Sequence, residues 1–218
     1  MLEDYALDFD GSSFARKAED SRDIAWNTSD FTVEIWAKIH NVDATGVIFD
    51  TTDPAFSSGW VLYAHNVWHT VVFSFFDENH QNQVIVGPSI SDIGTGWHHI
   101  AATKSGDLVL IHVDGTLAVQ QQVPMTLAFD DAAPWSLGGN SVDNPDFRLT
   151  GMALDDVRIS SVPRYELNFD APAIYDGDDS DVMLLLELDA GDGDVADDES
   201  GELSFDLENP TWIAGNTE

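Results

Sequence analysis

Two adjacent aspartates, Asp155 and Asp156, stand in the stretch GMALDDVRISSVPRY, which otherwise reads as a β-strand. Alternate residues of a strand share a face, so Asp155 is expected to point toward a core together with Val157 and Ile159. A buried carboxylate needs a cation or hydrogen-bond donors to offset its desolvation. A calcium ion with oxygen ligands is one candidate. Capping of backbone amides, or an ion pair with a nearby arginine, is the other.

Aromatic and amide side chains concentrate in the stretch GWVLYAHNVWHT, which contains a predicted loop. Sites for small polar ligands combine aromatic walls with a few well-placed polar groups, and sugar sites follow this pattern. The predicted ligand-binding residues are Trp60, Tyr63, Asn66 and Trp68. A second stretch, GGNSVDNPDF, adds Asn140, Asp143 and Asn144. The alternative is that these tryptophans pack in the core, as we expect for Trp36 and Trp97 inside strongly patterned strands.

Other kinds of site find little support in the sequence. Cysteine is absent, so disulfides, thiolate zinc sites and a thiol nucleophile are excluded. His65 and His69 have the spacing that chelates a metal on a helix, but in a strand they would lie roughly 13 Å apart. The sequence contains no nucleophile elbow and no phosphate-binding glycine loop. We therefore predict no catalytic residues and no enzymatic activity.

The charge balance is extreme, because 40 acidic residues against 8 basic residues give a formal net charge of -32. Such a surface repels nucleic acid and anionic membranes, since binding either depends on a cationic patch. Self-repulsion also destabilises a compact state at low ionic strength, and salt relieves it by screening. We expect a soluble protein of a saline environment, with no nucleic-acid partner and no membrane insertion.

Strand-like patterns occupy most of the chain. FTVEIWAKI alternates, which predicts one face toward a core. That face consists of Phe31, Val33, Ile35, Ala37 and Ile39. In LVLIHVDGTLAVQ, the pair Asp114-Gly115 separates two alternating runs and tolerates the positive φ of a type I′ turn, which predicts a tight hairpin. Such runs recur at the spacing of an all-β sandwich.

Five stretches occur in the order seen in one family of sandwiches. They are ALDFDGS, FTVEIWAKI, GWHHIAATKSGDLVLIHVDG, LGG and LTGMALDDVRISSVPRYELNF. In this order the chain resembles laminin-G-like, concanavalin A-type jelly-roll modules. More narrowly, LDDVRISSVPRYELNFDAP resembles the closing segment of such modules in viral tail and adhesin proteins. The resemblance implies an all-β, two-sheet antiparallel jelly-roll sandwich.

The resemblance also implies a structural calcium ion that ties the chain ends together. In these modules the aspartate at the position of Asp155 lies near the ion. So does an N-terminal Asp-Gly, here Asp10-Gly11, and backbone carbonyls supply other ligands. The predicted metal ligands are Asp10 and Asp155, and calcium is the predicted cofactor.

Glycosidases with the same fold carry a Glu-x-Asp-x-x-Glu strand whose two glutamates act as nucleophile and acid/base. The corresponding ELDAGD supplies Glu187 and Asp189, but its last position is Asp192. The shorter side chain would change the carboxyl separation on which the mechanism depends. The acidic stretches YDGDDSD and DAGDGDVADDESG do not follow the EF-hand order and are predicted to be solvated loops.

The last part of the chain resembles the opening of the same kind of module. Left unpaired, its apolar run at 182–188 would be an exposed edge strand that invites aggregation. We favour completion, in which the chain is a single domain, 1–218, and 176–218 contributes late strands beside the N-terminal YALDF strand. Exchange of these strands with a neighbouring subunit and a truncated second module are the alternatives.

These observations favour a non-catalytic recognition or decoration module that is displayed on a virion or extracellular surface. It would bind glycan or the host envelope through its loops. The alternative is a structural virion protein, which would make contacts with other virion proteins or with copies of itself and bind no ligand. A jelly-roll glycosidase is the least favoured hypothesis.

Overall fold

The described part of the chain is almost entirely β-structure. The computed structural model describes residues 4–18, 30–130, 132–140, 142–172, 175, 179–201 and 203–216. The strands are β1 (Tyr5–Asp10), β2 (Phe14–Lys17), β3 (Phe31–Ile39), β4 (Gly46–Asp50), β5 (Trp60–Ala64), β6 (Thr70–Phe76), β7 (Asn82–Ser89), β8 (Gly96–Ser105), β9 (Leu108–Val113), β10 (Thr116–Gln122), β11 (Ser136–Leu137), β12 (Thr150–Ser160), β13 (Val182–Leu186), β14 (Val195–Asp197), β15 (Ser204–Glu208) and β16 (Thr211–Ala214). A four-residue helix, α1 (Ile90–Ile93), and a 3-10 turn (Pro145–Phe147) interrupt them. None of the described helices has the length and apolar character needed to cross a membrane.

The strands form two antiparallel sheets of eight. The first sheet has the order β10-β9-β8-β3-β12-β1-β16, and β13 also pairs with β12. The second has the order β14-β15-β2-β11-β4-β5-β6-β7. Apolar side chains from the inner faces of both sheets form one core cluster. The predicted all-β, two-sheet antiparallel jelly-roll sandwich is confirmed.

Alternation along β3 places the predicted residues in this core. All five of them are at most 1% exposed; they are Phe31, Val33, Ile35, Ala37 and Ile39. The Asp114-Gly115 hairpin is also confirmed, since β9 and β10 pair directly on either side of it. Asp114 and Gly115 have φ angles of 49° and 70°, the positive values that a type I′ turn requires.

Two strands share one edge of β12. Leu7 of β1 pairs with Leu154, and Leu186 of β13 pairs with Val157. Both strands run antiparallel to β12, so the start of β1 and the end of β13 meet. The junction lies at Asp155–Asp156. Any group that precedes β1 or follows β13 is therefore brought close to these two carboxylates.

A β-bulge occupies this junction. Asp156 has a φ of 45°, and the pairing of β12 with β3 shifts register just after Asp155. Because the bulge adds one residue, Leu154 and Val157 both belong to the core. The expectation that Asp155 shares a face with Val157 and Ile159 is therefore wrong. Asp155 lies on the opposite side of the first sheet, and it is nevertheless 1% exposed.

The C-terminal strands pair with both sheets of the same chain. β13 pairs with β12, β15 with β2 and β16 with β1. Phe205 of β15 is fully buried and packs edge-on against Phe49, with ring centroids 6.2 Å apart. Residues 176–178 of the predicted late segment lie outside the described residues. The assignment of 1–218 to a single domain stays a prediction.

Replacing Phe205 with alanine tests whether the C-terminal strands stabilise the sandwich. We expect Phe205→Ala to lower the free energy of unfolding by about 3–5 kcal/mol, because it leaves a cavity between the sheets. Val195→Ala is the matched control at a partly exposed position of β14, and it should change the free energy by less than about 0.5 kcal/mol. Urea unfolding of both variants measures the difference. Equal effects would contradict the packing of β15 in this core.

Candidate functional site

Three carboxylates meet at the β12 junction. One carboxylate oxygen from each of Asp4, Asp155 and Asp189 lies within 4.8 Å of the others. Asp4 directly precedes β1 and Asp189 follows β13, so the antiparallel pairing to β12 brings them to Asp155. Near the C-terminus, the Asn216 N–H donates to Asp155 Oδ2 at 3.0 Å. Both ends of the described chain therefore converge on one buried carboxylate.

Burial and mutual repulsion disfavour the charged forms of these carboxyl groups. Burial, together with the charges of Asp156, Asp4 and Asp189, raises the pKa of Asp155 to about 8, although the Asn216 N–H opposes the shift. Burial and the charges of Asp189, Asp4 and Glu187 raise the pKa of Asp156 to about 7, although the charge of Arg158 opposes the shift. Burial and the contact with Asp189 raise the pKa of Asp4 to about 6. At neutral pH the cluster lacks enough positive charge to hold all of its carboxylates ionised.

This donor set fits a hard divalent cation such as calcium, which binds carboxylate oxygens and would offset their repulsion. The set differs from the predicted one, because Asp10 is exposed and its Oδ1 accepts hydrogen bonds from the Ser12 N–H and hydroxyl. Asp10 pairs with Thr150, at the far end of β12 from Asp155. The structure therefore brings Asp4 and Asp189, and not Asp10, to Asp155.

A groove of about 350 Å³ lies on the outer face of the second sheet. Residues of β4, β5 and β6, most of which alternate with core residues, form its floor, and four loops and the start of β7 form its walls. The lining residues are Thr45, Gly46, Val47, Asp50, Thr52, Phe56, Val61, Tyr63, Ala64, His65, Asn66, Ser74, Phe76, Asn82, Asn140, Asp146 and Phe147. Aromatic rings and short polar side chains thus share one concave surface.

Tyr63 and Asn66, two of the four predicted ligand-binding residues, line this groove. Trp68 is not a lining residue, but it stacks on the lining residue His65, with ring centroids 4.1 Å apart and planes at 9°. Trp68 is 53% exposed. The prediction for Trp60 is corrected. This ring is fully buried in the core, because the alternation of β5 turns it away from the groove.

Two aromatic residues that sequence reasoning missed stand on the walls of the groove. Phe56 and Phe147 are 45% and 48% exposed, which is unusual for side chains of this size. They belong to loops that are distant in sequence, before β5 and before β12. In the sequence, each of them is marked only as an aromatic residue in a turn-rich segment. This pattern does not predict which surface the ring contacts.

Buried polar groups support the groove from below. The Asp50 side chain accepts the Thr52 N–H at 2.8 Å, and the Thr52 hydroxyl has no hydrogen-bond partner among the described residues. Burial raises the pKa of Tyr63, and a hydrogen bond with Ser74 opposes the shift. Asp50 and Thr52 are at most 2% exposed. Donors and acceptors are therefore held in place beneath the rings.

Three residues of the loop before the 3-10 turn were predicted to bind a ligand, and one of them lines the groove. Asn140 lines the groove, and its Oδ1 accepts the Asn144 N–H at 2.9 Å. Asp143 forms an ion pair with Arg148. Asn144 caps the 3-10 turn by accepting the Asp146 N–H. Asp143 and Asn144 thus shape this wall of the groove without lining it.

The outer face of the first sheet carries a buried network instead of a groove. Arg158 Nε and Nη2 donate to Glu34 Oε1 at 2.9 and 2.8 Å, and the Tyr165 hydroxyl donates to Glu34 Oε2 at 2.7 Å. His99 Nε2 lies 3.1 Å from the same Oε2. Although burial raises it, the pKa of Glu34 is lowered overall by the bond with His99 and the charge of Arg158. Glu34 therefore stays charged and paired.

This network is covered by the segment at 162–172 and by Tyr175. Tyr165 and Phe169 stack face to face, with ring centroids 3.5 Å apart. Phe169 packs edge-on against His99 and His112, both fully buried. Because Glu34 and His99 are fully buried and Arg158 is only 6% exposed, we assign the network a structural role.

A second cavity of about 260 Å³ contains two of the three residues of the glycosidase hypothesis. Glu187 and Asp189 line it beside Glu199 and Trp212. Burial and the charges of Glu199 and Asp189 raise the pKa of Glu187. Asp192 is not among the lining residues, and Asp189 belongs to the cluster with Asp4. The cavity therefore does not unite Glu187, Asp189 and Asp192 in the arrangement that a general acid and a nucleophile would need.

The chain is similar to several solved structures. A proposed carbohydrate-binding protein of Bacteroides ovatus superposes with a TM-score of 0.75 at 16% identity, over 100% of this chain and 61% of that one. The receptor-binding domain of botulinum neurotoxin D gives 0.53 at 17%, over 75% and 41%. Domains LG4-5 of the mouse laminin alpha1 chain give 0.52 at 11%, over 73% and 42%. At these identities the likeness shows the fold alone.

The family comparison is more direct. Among curated protein sequences, none shows significant similarity to the chain. Residues 11–166, most of the chain, match a laminin G family described as the concanavalin A-like lectin/glucanases superfamily. The match covers β2 to β12, with all the strands that form the floor of the groove. The chain therefore belongs to the concanavalin A-like lectin/glucanase superfamily.

Proposed function

We propose that the protein binds glycan in the groove on the outer face of its second sheet. The observation that carries the proposal is the combination, in one concave surface, of exposed aromatic rings with amides and carboxylates. The apolar C–H faces of a sugar ring pack on aromatic rings, and its hydroxyls need both donors and acceptors. The volume of about 350 Å³ lies near the lower end of small-ligand sites, roughly 300–1,000 Å³, and suits a few sugar units.

The walls and the floor of the groove have distinct roles in this function. Phe56 and Phe147 offer half-exposed rings on two separate loops, and Tyr63 offers a ring and a hydroxyl on the floor. Asn66 is exposed on the loop that follows β5. The side chains that direct hydrogen bonds are held by β-strands and short capped turns, so little ordering is lost when a ligand binds.

We further propose that the protein is a non-catalytic module displayed on a virion or another extracellular surface in a saline environment. The net charge of -32 supports this, because salt screens the self-repulsion of such a surface. A glycan or host cell surface is then the partner. Contacts with other virion proteins or copies of this chain, without a glycan ligand, are the alternative.

We also propose that Asp4, Asp155 and Asp189 hold a structural calcium ion. The proximity of their carboxylate oxygens and the burial of Asp155 support it. The ion would supply positive charge to these carboxylates and no chemistry to the groove. It would pin the start of β1 and the segment after β13 to β12, and thus fix both ends of the chain.

Removing one aromatic face or one amide from the groove tests the glycan proposal. We expect Phe147→Ala and Asn66→Ala each to weaken binding by about tenfold or more, because each deletes a contact worth at least about 1.4 kcal/mol. Leu167→Ala is the control, since Leu167 is 77% exposed on the segment that covers the other sheet. Titration against the best ligand from a glycan array in 1 M NaCl measures the affinities.

All three positions are exposed, so the variants should fold. A wild-type protein that binds no glycan on the array, but forms large assemblies, would contradict the proposal and favour the assembly alternative. Glycan binding that survives both groove substitutions would place the site elsewhere on the surface.

Adding calcium to protein treated with a chelator tests the cation site. At calcium about 100-fold above its dissociation constant we expect Tm to rise by roughly 5–10 °C, the effect of about 2.7 kcal/mol on a domain of this size. Asp155→Asn should abolish the rise, and Asp10→Asn should keep it. Thermal unfolding in 1 M NaCl measures Tm while salt screens non-specific binding. A rise that depends on Asp10 and not on Asp155 would restore the ligand set predicted from the sequence.

The pH dependence of the cation-free protein gives a separate test. The pKa of Asp155 is about 8 in the folded state and about 4 in the unfolded state, so the folded state holds a proton that the unfolded state releases. The free energy of unfolding should therefore fall as pH rises from about 4 to about 8. Asp155→Asn should make this fall shallower, and Asp10→Asn should not. Urea unfolding at pH 5 and pH 8 with chelator measures both slopes.

A further inference from the structure

The charged side chains among the described lining residues of the groove are acidic. Asp50 and Asp146 line it, and none of its described lining residues is lysine or arginine. The nearest arginine in sequence, Arg148, is directed elsewhere. Its guanidinium lies over the Phe14 ring, 4.1 Å from the centroid, and pairs with Asp143. Among the described lining residues, a ligand in the groove thus meets the exposed carboxylate of Asp146 and no cationic side chain.

His65 adds a donor that does not depend on a positive charge. Its Nδ1 accepts the Val67 N–H at 3.1 Å and the Trp68 N–H at 3.2 Å. A ring nitrogen that accepts hydrogen bonds carries no proton, so the neutral ring has its proton on Nε2. The stacked Trp68 ring fixes the plane of the imidazole. In this tautomer the ring donor of His65, a lining residue of the groove, is Nε2.

These groups match hydroxyls better than anionic substituents. Amides and hydroxyls, such as those of Asn82 and Ser74, both donate and accept hydrogen bonds. The carboxylate of Asp146, which is exposed, accepts only, so it favours a ligand that donates. A sugar hydroxyl donates, whereas a sulfate or carboxylate group offers acceptors alone and would be placed beside like charges.

We propose that the groove selects uncharged, hydroxyl-rich glycans and rejects uronic, sulfated and sialylated ones. Asp146 is the specificity-determining residue. This proposal rests on the proposed glycan-binding function and names the chemical class of its ligand. Selection by the groove is distinct from repulsion by the whole protein, whose net charge of -32 acts over long distances. The Debye length falls to about 3 Å in 1 M salt, so salt removes long-range repulsion and spares contacts in the groove.

The test compares polymers that share a backbone. Dextran, carboxymethyl-dextran and dextran sulfate form one series, and a panel of neutral polysaccharides is set against alginate, heparin and sialyllactose. Affinities are measured at 0.1 M and 1 M NaCl. We expect binding to neutral members alone, or at least about tenfold weaker binding to acidic ones at both salt concentrations.

A matched pair of variants separates groove charge from net charge. Asp146→Lys and Asp170→Lys change the charge equally, but Asp146 lines the groove and Asp170 is exposed on the segment that covers the other sheet. We expect Asp146→Lys to reduce the neutral-to-acidic affinity ratio by about tenfold or more. Asp170→Lys should leave the ratio unchanged.

The outcomes distinguish this inference from the function on which it rests. Acidic glycans bound with a dependence on Phe147 would overturn the inference and leave glycan binding in the groove intact. A preference for neutral glycans that disappears in 1 M NaCl, or that both lysine variants change equally, would also overturn it. Failure to bind any member of the panel would overturn the proposed function and this inference with it.

Discussion

The shared edge of β12 is the constraint on which the rest of the structure depends. One long strand pairs with β1 along its first half and with β13 along its second half, so two strand ends meet beside Asp155. The bulge at Asp156 adds one residue to β12 relative to β3 and lets Leu154 and Val157 both reach the core. As a consequence, the Asp155 carboxylate is buried where the two ends of the described chain converge. A cation at that place would act on the closure of the whole sandwich.

The sequence was sufficient to predict individual strands and turns, but it did not predict the junction at which β1 and β13 meet beside β12. Strict alternation in Phe31–Ile39 and the Asp114-Gly115 turn are local signals, and the structure confirms both predictions. The orientation of Asp155 was predicted wrongly, because a bulge adds one residue and reverses the alternation that follows. Nothing local marks the bulge, since positive φ at an aspartate is uncommon and depends here on the partners of β12. Asp4 was missed for the same reason, because its proximity to Asp155 follows from strand pairing.

The groove shows the same division between local and long-range information. Tyr63 and Asn66 were found because they belong to one stretch in which rings and amides are adjacent in sequence. Trp60 was assigned wrongly from that stretch, since the alternation of β5 places neighbouring aromatic residues on opposite faces. Phe56 and Phe147 could not be paired from sequence, because they belong to separate loops that come together only when β4, β5 and β11 are assembled. The composition of a stretch predicts that it could bind sugar, whereas the order of the strands in the sheet determines which residues line the groove together.

The location of the groove follows from how the two outer faces differ. On the first sheet, Glu34 and Arg158 form a buried ion pair, and the segment that carries Tyr165 lies across them. Breaking such a pair would leave an uncompensated buried charge, and the cover helps to satisfy the pair because the Tyr165 hydroxyl donates to Glu34. The second sheet has no comparable cover over its central strands among the described residues, and the loops rise beside the sheet instead of crossing it. Its outer face therefore remains concave and accessible, and the groove lies there.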